Sequence, residues 1–280
     1  AVIATGGARG WVVGAAATQG ALAGDLARLV AALPVSAAAP PRPRSGSRAI
    51  AARLQGRMPA ASAPIYVGLV NPNTQSGVFL HSAASTALVD ADEDHLLDYL
   101  AGNLYAGGGP HTLFMKTWAA GLAYSNGIRP SLELGRISYY AERSPDLSQT
   151  MRFVVGELGG AEPDPAAVES AFAQAFDARL AGGYEDRGAA MASDLADGVT
   201  PEIVRRFRAR LLALRGRAGL ADELFTRMRS VYGRVLPGYG PPALREHATD
   251  PVYFVIGPEK QLEGWQRYLY ETGRAAMDEK

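Results

Sequence analysis

The 280-residue sequence predicts an α+β fold in which helices cover one face of a mostly antiparallel sheet. Short segments rich in β-branched and aromatic residues come in two pairs, and another such segment lies near the end of the chain, at 252–256. Helical patterns of apolar residues separate and follow these segments. Strands in pairs, with helices in series rather than in strict alternation, are typical of a two-layer α+β fold.

The chain opens with a predicted strand followed by a helix. Trp11, Val12 and Val13 indicate the strand, and leucines and valines at helical spacing predict a helix over 19–33. The next stretch, 36–57, is rich in proline, alanine and arginine, which favours an extended linker over a helix or a central strand. We therefore expect a domain boundary there.

Two further strand segments, 63–70 and 77–83, are separated by a turn-rich sequence and predict a β-hairpin. Acidic residues at 90–94 suit the N-terminus of the next helix. Its leucines continue up to three consecutive glycines, 107–109, and Pro110, which end the helix.

Beyond the glycines the pattern predicts a strand pair, 122–127 and 134–142, and then a helix with Ser144 as N-cap and Pro145 at its first position. More helices are indicated after Asp164, over 184–195 and from Thr200. The last strand, 252–256, precedes a helix that carries three large apolar residues, Leu262, Trp265 and Leu269.

Composition excludes several classes of function. The chain has no cysteine, which excludes disulfides and thiol catalysis. Its 28 basic residues equal its 28 acidic ones, so the net charge does not favour binding to nucleic acid or to an anionic membrane. Only one aromatic residue, Phe207, interrupts the basic run between Arg205 and Arg217, and it lies on the apolar side of the helix, so a solvated helix face is favoured over a nucleic-acid site. The sequence contains no apolar run of about 18 residues, which is the pattern that predicts a membrane span. The compartment, cytoplasmic or periplasmic, is left open.

The glycines in 2–14 resemble the phosphate loop of short-chain dehydrogenases, which makes an NAD-dependent oxidoreductase a remote alternative. That motif needs a glycine where Val12 stands. It also needs a Tyr-x-x-x-Lys pair, whereas Tyr139 and Tyr140 lead only to Arg143.

Five segments together resemble one family. A helix ends in the glycines 107–109, a Leu-Phe pair follows at 113–114, and Gly-Leu-Ala-Tyr occupies 121–124. SPDLSQTMRFVVGEL at 144–158 and FVIGP at 254–258 complete the set. In this order they resemble the insulinase-like zinc metallopeptidases, the M16 family, in the C-terminal half that carries no zinc.

The resemblance implies the two-layer metallohydrolase fold of LuxS and the mitochondrial processing peptidase. It also implies that 1–35 is the closing strand and helix of a preceding half-domain, that 36–57 joins the halves, and that 58–280 is the C-terminal domain. The family's zinc motif has two histidines at i, i+4 spacing with a glutamate base between them. None of the four histidines here is so placed. We therefore expect no metal in this chain and zinc in a partner half or subunit.

The resemblance also implies site residues. The tyrosine of Gly-Leu-Ala-Tyr, here Tyr124, would donate a hydrogen bond to the developing oxyanion; a buried strand tyrosine is the alternative interpretation. The family has an arginine seven residues earlier, where this chain has Thr117, and Lys116 is the nearest substitute. The predicted substrate-binding residues are Gly107, Gly108, Gly109 and His111.

These observations favour the C-terminal half of an M16-type peptidase, inactive alone, that forms one wall of a peptide-binding chamber. The expected partners are the zinc-bearing half or subunit and an extended peptide, with a dimer left open. A catalytically inactive M16-like protein, acting in peptide binding or assembly, is the alternative.

Overall fold

The computed structural model describes residues 12–34, 65–107, 112–177, 182–240 and 251–273. They fall into two compact units, one holding 12–34 and 182–207 and the other holding the rest. The predicted linker, 36–57, lies outside the described residues, so the domain boundaries stay a prediction. The elements are α1 Ala16–Ala31, β1 Ile65–Val70, β2 Gly77–Ala84, α2 Glu93–Asn103, α3 Leu113–Ala119, β3 Ser125–Ser131, β4 Arg136–Ser144, α4 Leu147–Gly159, α5 Pro165–Asp177, α6 Tyr184–Ala196, α7 Pro201–Leu214, α8 Leu220–Gly233, β5 Val252–Gly257 and α9 Glu259–Glu271.

The smaller unit contains α1, α6 and the first half of α7. The predicted helix at 19–33 is found as α1, which begins three residues earlier, and none of its residues is buried. The opening strand is not found at Val12 and Val13, which lie in no regular element, and Trp11 lies outside the described residues. A strand is stable only within a ladder, and no described segment pairs with these two valines.

The larger unit is built on a five-stranded sheet of order β1-β5-β2-β4-β3. Only β1 and β5 are parallel, so the predicted α+β class with a mostly antiparallel sheet is confirmed. The hairpin predicted from β1 and β2 is wrong, because β5 lies between them. The connection at 71–76 spans two strand spacings of about 4.8 Å each, whereas the tight turns of hairpins join direct neighbours.

The strand pair after the glycines is confirmed as β3 and β4, which begin two to three residues later than predicted. The N-cap of α4 is Asp146 rather than Ser144, since the Asp146 carboxylate accepts from the backbone N–H of Gln149. Ser144 is instead the last residue of β4, and its hydroxyl bonds to Thr150 Oγ1 at 2.6 Å.

One face of the sheet carries the core. A row of partners crosses all five strands there, from Tyr66 through Tyr253, His81 and Tyr139 to Ile128. Trp265 of α9 packs on this row and is fully buried. Five of these six side chains carry an aromatic ring and the sheet positions are mostly buried, so this face is the one that the helices cover.

Candidate functional site

The glycine loop is described only at its start. Gly107 has φ of 83°, and a Cβ there would lie 2.9 Å from Oε1 of Gln174 in α5. The left-handed backbone favours glycine at this position, whereas the flexible Gln174 side chain could move away from a Cβ. The remaining predicted loop residues, Gly108, Gly109 and His111, lie outside the described residues. Substrate binding by all four stays a prediction.

Helix α3 places Lys116 and Thr117 in different surroundings. Lys116 Nζ lies 2.8 Å from Oε2 of Glu157 in α4, and both side chains are partly exposed. Thr117 is fully buried, and its hydroxyl donates to the Leu113 carbonyl at 2.8 Å. The position of the family's arginine is therefore a core position in this chain. A substrate role for Lys116 stays a prediction.

Tyr124 lies just before β3 and is 63% exposed, not buried. Its backbone N–H donates to the carbonyl of Glu142 in β4 at 3.0 Å, which ties the residue to the end of the hairpin. The guanidinium carbon of Arg143 lies 4.8 Å from the centre of its ring. The cation next to Tyr124 is thus Arg143, on the neighbouring strand.

Arg143 occupies a β-bulge. Gly77 pairs with Ser144 and Phe79 pairs with Ala141, so Glu142 and Arg143 together face the single residue Val78. At φ of 52°, Arg143 is the one described non-glycine residue with a left-handed backbone. Bulges of this kind bend a strand and turn a side chain in a new direction. Here the bulge brings the guanidinium onto Tyr124, a placement that no sequence motif signals.

The second face of the sheet is apolar but only partly covered. Another row of partners runs from Val67 through Phe254 and Leu80 to Tyr140. Leu80 is 47% exposed and the other three are half-buried, in contrast to the row on the helix-covered face. We call this row, together with Leu69, Val78 and Ile256 beside it, the open face.

The described residues include no group of three or more His, Asp or Glu side chains placed to hold a metal ion. His95 Nδ1 lies 2.7 Å from Asp92. The nearby carboxylates of Asp94 and Asp98 are ion-paired with Arg227. The residues present therefore do not fit a zinc site in the described part of the chain.

His81 is fully buried, and burial lowers its pKa from the ordinary value of 6.5 to about 3, although its hydrogen bond to the Val235 carbonyl acts in the opposite direction. Its Nδ1 lies 2.8 Å from that carbonyl oxygen, which accepts, so Nδ1 carries the proton. The ring is surrounded by Phe79, Tyr253 and Trp265. His81 is thus a neutral core residue.

No protein-family model matches the sequence, and no curated protein matches it either. No helix in the described ranges has the length and apolar character needed to cross a membrane.

Solved structures are similar to the chain at low sequence identity. The peptidase M16 inactive domain from Pseudomonas fluorescens is 14% identical, with a TM-score of 0.48 over 86% of this chain and 51% of that one. Complex III2 from Candida albicans with Inz-5 bound is 15% identical, with a TM-score of 0.49 over 74% and 49% of the two chains. A predicted insulinase family protease from Yersinia pestis is 16% identical, with a TM-score of 0.44 over 81% and 53%.

The chain spans about half the length of each of these three structures. The solved structures that it resembles thus include a peptidase M16 inactive domain and a predicted insulinase family protease.

Proposed function

We propose that this chain is the non-zinc half or subunit of an M16-type metallopeptidase and forms one wall of a peptide-binding chamber. The observation that supports this role most directly is the open face, where Leu69 and Leu80 are each exposed by nearly half. A contiguous apolar surface of this kind marks a site of contact with a ligand or another protein. In this proposal, it contacts an extended peptide and faces the zinc-bearing half.

The proposed contribution to catalysis is a hydrogen bond. Tyr124 is exposed, has a phenol that can donate, and has a cation over its ring. A phenol held near the scissile carbonyl stabilises the charge that develops on its oxygen. Zinc in the other half would supply the activated water, and no group in the described part of this chain replaces it.

A second candidate function is peptide binding or assembly without turnover. Two observations favour it. Thr117, at the position where the resembled family has arginine, is an uncharged core residue, and the neighbouring cation, Lys116, is paired with Glu157. Metal analysis of the assembly purified from its native source separates the two functions. Bound zinc with peptidase activity supports the first, and an assembly with neither supports the second.

Replacing Leu80 by Asp should weaken the binding of an unstructured, fluorescein-labelled 20-residue peptide about tenfold or more. The substitution removes the apolar area that the leucine side chain would bury against the peptide and puts a carboxylate in its place. The measurement is fluorescence anisotropy with the purified chain. Leu134→Asp is the matched control, since Leu134 is also an exposed leucine (60%) but lies in the turn between β3 and β4. Equal effects of the two substitutions, or none, would contradict a binding role for the open face.

Replacing Tyr124 by Phe should lower kcat for peptide hydrolysis by the complete assembly about tenfold, the value of one hydrogen bond of about 1.4 kcal/mol. Tyr184→Phe, an exposed tyrosine of the smaller unit, is the control. Unchanged kcat and peptide affinity in Tyr124→Phe would contradict the proposed hydrogen bond from the phenol and leave Tyr124 with a structural role only.

A further inference from the structure

Two arginines of the β3–β4 hairpin stack on tyrosine rings. The guanidinium carbon of Arg129 lies 3.8 Å from the centre of the Tyr140 ring, and that of Arg143 lies 4.8 Å from the centre of the Tyr124 ring. Both arginines are exposed, and Tyr140 belongs to the open face. A ring beneath a guanidinium restricts its motion and leaves its N–H groups able to bind an anion.

The Arg129 stack depends on glycine in the neighbouring strand. Gly127 pairs with Tyr140, and a Cβ at Gly127 would lie 3.3 Å from the tyrosine ring. Without a side chain at that position, the ring can lie close over β3, and Arg129, two residues further along the strand, covers it. Cation, ring and glycine form a layered arrangement rather than a chance approach of surface side chains.

Neither guanidinium has a carboxylate partner among the described residues. Five other arginines of the larger unit are ion-paired with Asp or Glu: Arg152, Arg215, Arg217, Arg227 and Arg234. Glu142 lies next to Arg143 in the chain and is exposed, yet no ion pair joins it to either stacked arginine. The hairpin thus presents two exposed guanidinium groups that have no carboxylate partner in the described part of the chain.

The backbone at Arg143 adds a second indication. Its left-handed φ is costly for any residue with a Cβ, and glycine would adopt it without strain. Strained backbone conformations cluster at functional sites, where the side chain is needed in one place. The chain has a long cation at a bulge position where glycine would fit the backbone better.

From these observations we infer that the larger unit selects peptides with acidic side chains, whose carboxylates bind the guanidinium groups of Arg129 and Arg143. The inference rests on the proposed function, since it specifies the class of peptide that the open face binds. Arginine suits this task because its planar guanidinium donates two parallel N–H bonds to one carboxylate. Carboxylates of the peptide would take the place that Asp and Glu occupy beside the five ion-paired arginines.

The test compares three fluorescein-labelled 20-residue peptides that differ only at four positions, occupied by Glu, Gln or Lys. With the purified chain at low ionic strength, we expect the Glu peptide to bind at least tenfold more tightly than the Gln peptide and the Lys peptide to bind more weakly than both. The double variant Arg129→Gln with Arg143→Gln should bind the Glu and Gln peptides equally. Circular dichroism and thermal melting establish that it is folded.

Arg152→Gln is the matched control. Arg152 also lies over a tyrosine ring, that of Tyr268 at 5.1 Å, but it is ion-paired with Glu271. This control should keep the preference for the Glu peptide. Arg143→Gly, which removes the cation and the backbone strain together, should lower the preference while leaving the melting temperature unchanged or higher.

The outcomes separate this inference from the proposed function. Binding of all three peptides with equal affinity, or an equal loss of preference in Arg152→Gln and the double variant, overturns the acidic selectivity and leaves peptide binding intact. If none of the three peptides binds, the proposed peptide-binding role itself is overturned.

Discussion

Replacing Thr117 by arginine is expected to lower the free energy of unfolding by about 3 kcal/mol or more. Thr117 is fully buried in α3, and its hydroxyl is satisfied by the Leu113 carbonyl. An arginine there would have to bury a charge without a partner or push the helix away from the core. Urea unfolding followed by circular dichroism measures the change.

Two substitutions on the same helix separate the causes of that loss. Thr117→Val removes the hydroxyl at nearly constant volume and should cost only about 1 kcal/mol. Trp118→Arg places the same guanidinium at a position that is 54% exposed and should change stability little. A Thr117→Arg variant as stable as the wild type, with faster peptide hydrolysis in the assembly, would show that the position is open to substrate after all.

The burial of Thr117 limits which residues can place a cation near Tyr124. If the prediction holds, an arginine at position 117 cannot serve the site without a large loss of stability, because α3 turns that position into the core. Any cation that assists Tyr124 must then come from another element. Arg143 is placed to do so, 4.8 Å from the tyrosine ring on the adjacent strand.

The fold was predictable wherever local chemistry decides it. Asp92 caps α2 and accepts from the His95 N–H, as the acidic run suggested, and the apolar spacing of 147–158 gives a helix whose buried face includes Met151 and Val154. The order of the strands was not predictable in this way. The insertion of β5 between β1 and β2 depends on pairing between segments more than 150 residues apart, which leaves no mark on local periodicity.

The same limit applies to the candidate site. A sequence motif points to Tyr124, because Gly-Leu-Ala-Tyr is contiguous. Arg143 is 19 positions away in the sequence and meets the tyrosine only through the β3–β4 register and the bulge opposite Val78. The open face is likewise formed by residues from four strands. Each strand shows the alternation of apolar residues, but the continuous apolar surface depends on how the strands pair.

Acidification is expected to destabilise the larger unit through His81. The folded-state pKa is depressed to about 3 by burial, whereas an unfolded histidine titrates near 6.5. Above pH 6.5 neither state binds the proton, so this contribution is constant. Below pH 6.5 the unfolded state binds a proton that the folded state does not bind. The free energy of unfolding therefore falls by about 1.4 kcal/mol per pH unit until the pH approaches the folded-state pKa of His81.

The loss attributable to His81 should therefore reach about 2 kcal/mol between pH 7.5 and pH 5, measured by urea unfolding at each pH. The Phe79 and Trp265 rings beside His81 do not titrate, and burial raises the pKa of the Tyr139 phenol further above this interval. His81→Asn is the matched variant, because an asparagine N–H can still donate to the Val235 carbonyl while the side chain does not titrate.

We expect His81→Asn to be less stable than the wild type at pH 7.5, because it leaves space among Phe79, Tyr253 and Trp265. The difference between the two proteins should then shrink by about 2 kcal/mol at pH 5, since only the wild type carries the protonation cost. If both lost the same stability over that interval, the histidine would have to be hydrated or protonated in the folded state. That outcome would contradict the buried Nε2, which has no hydrogen-bond partner among the described residues.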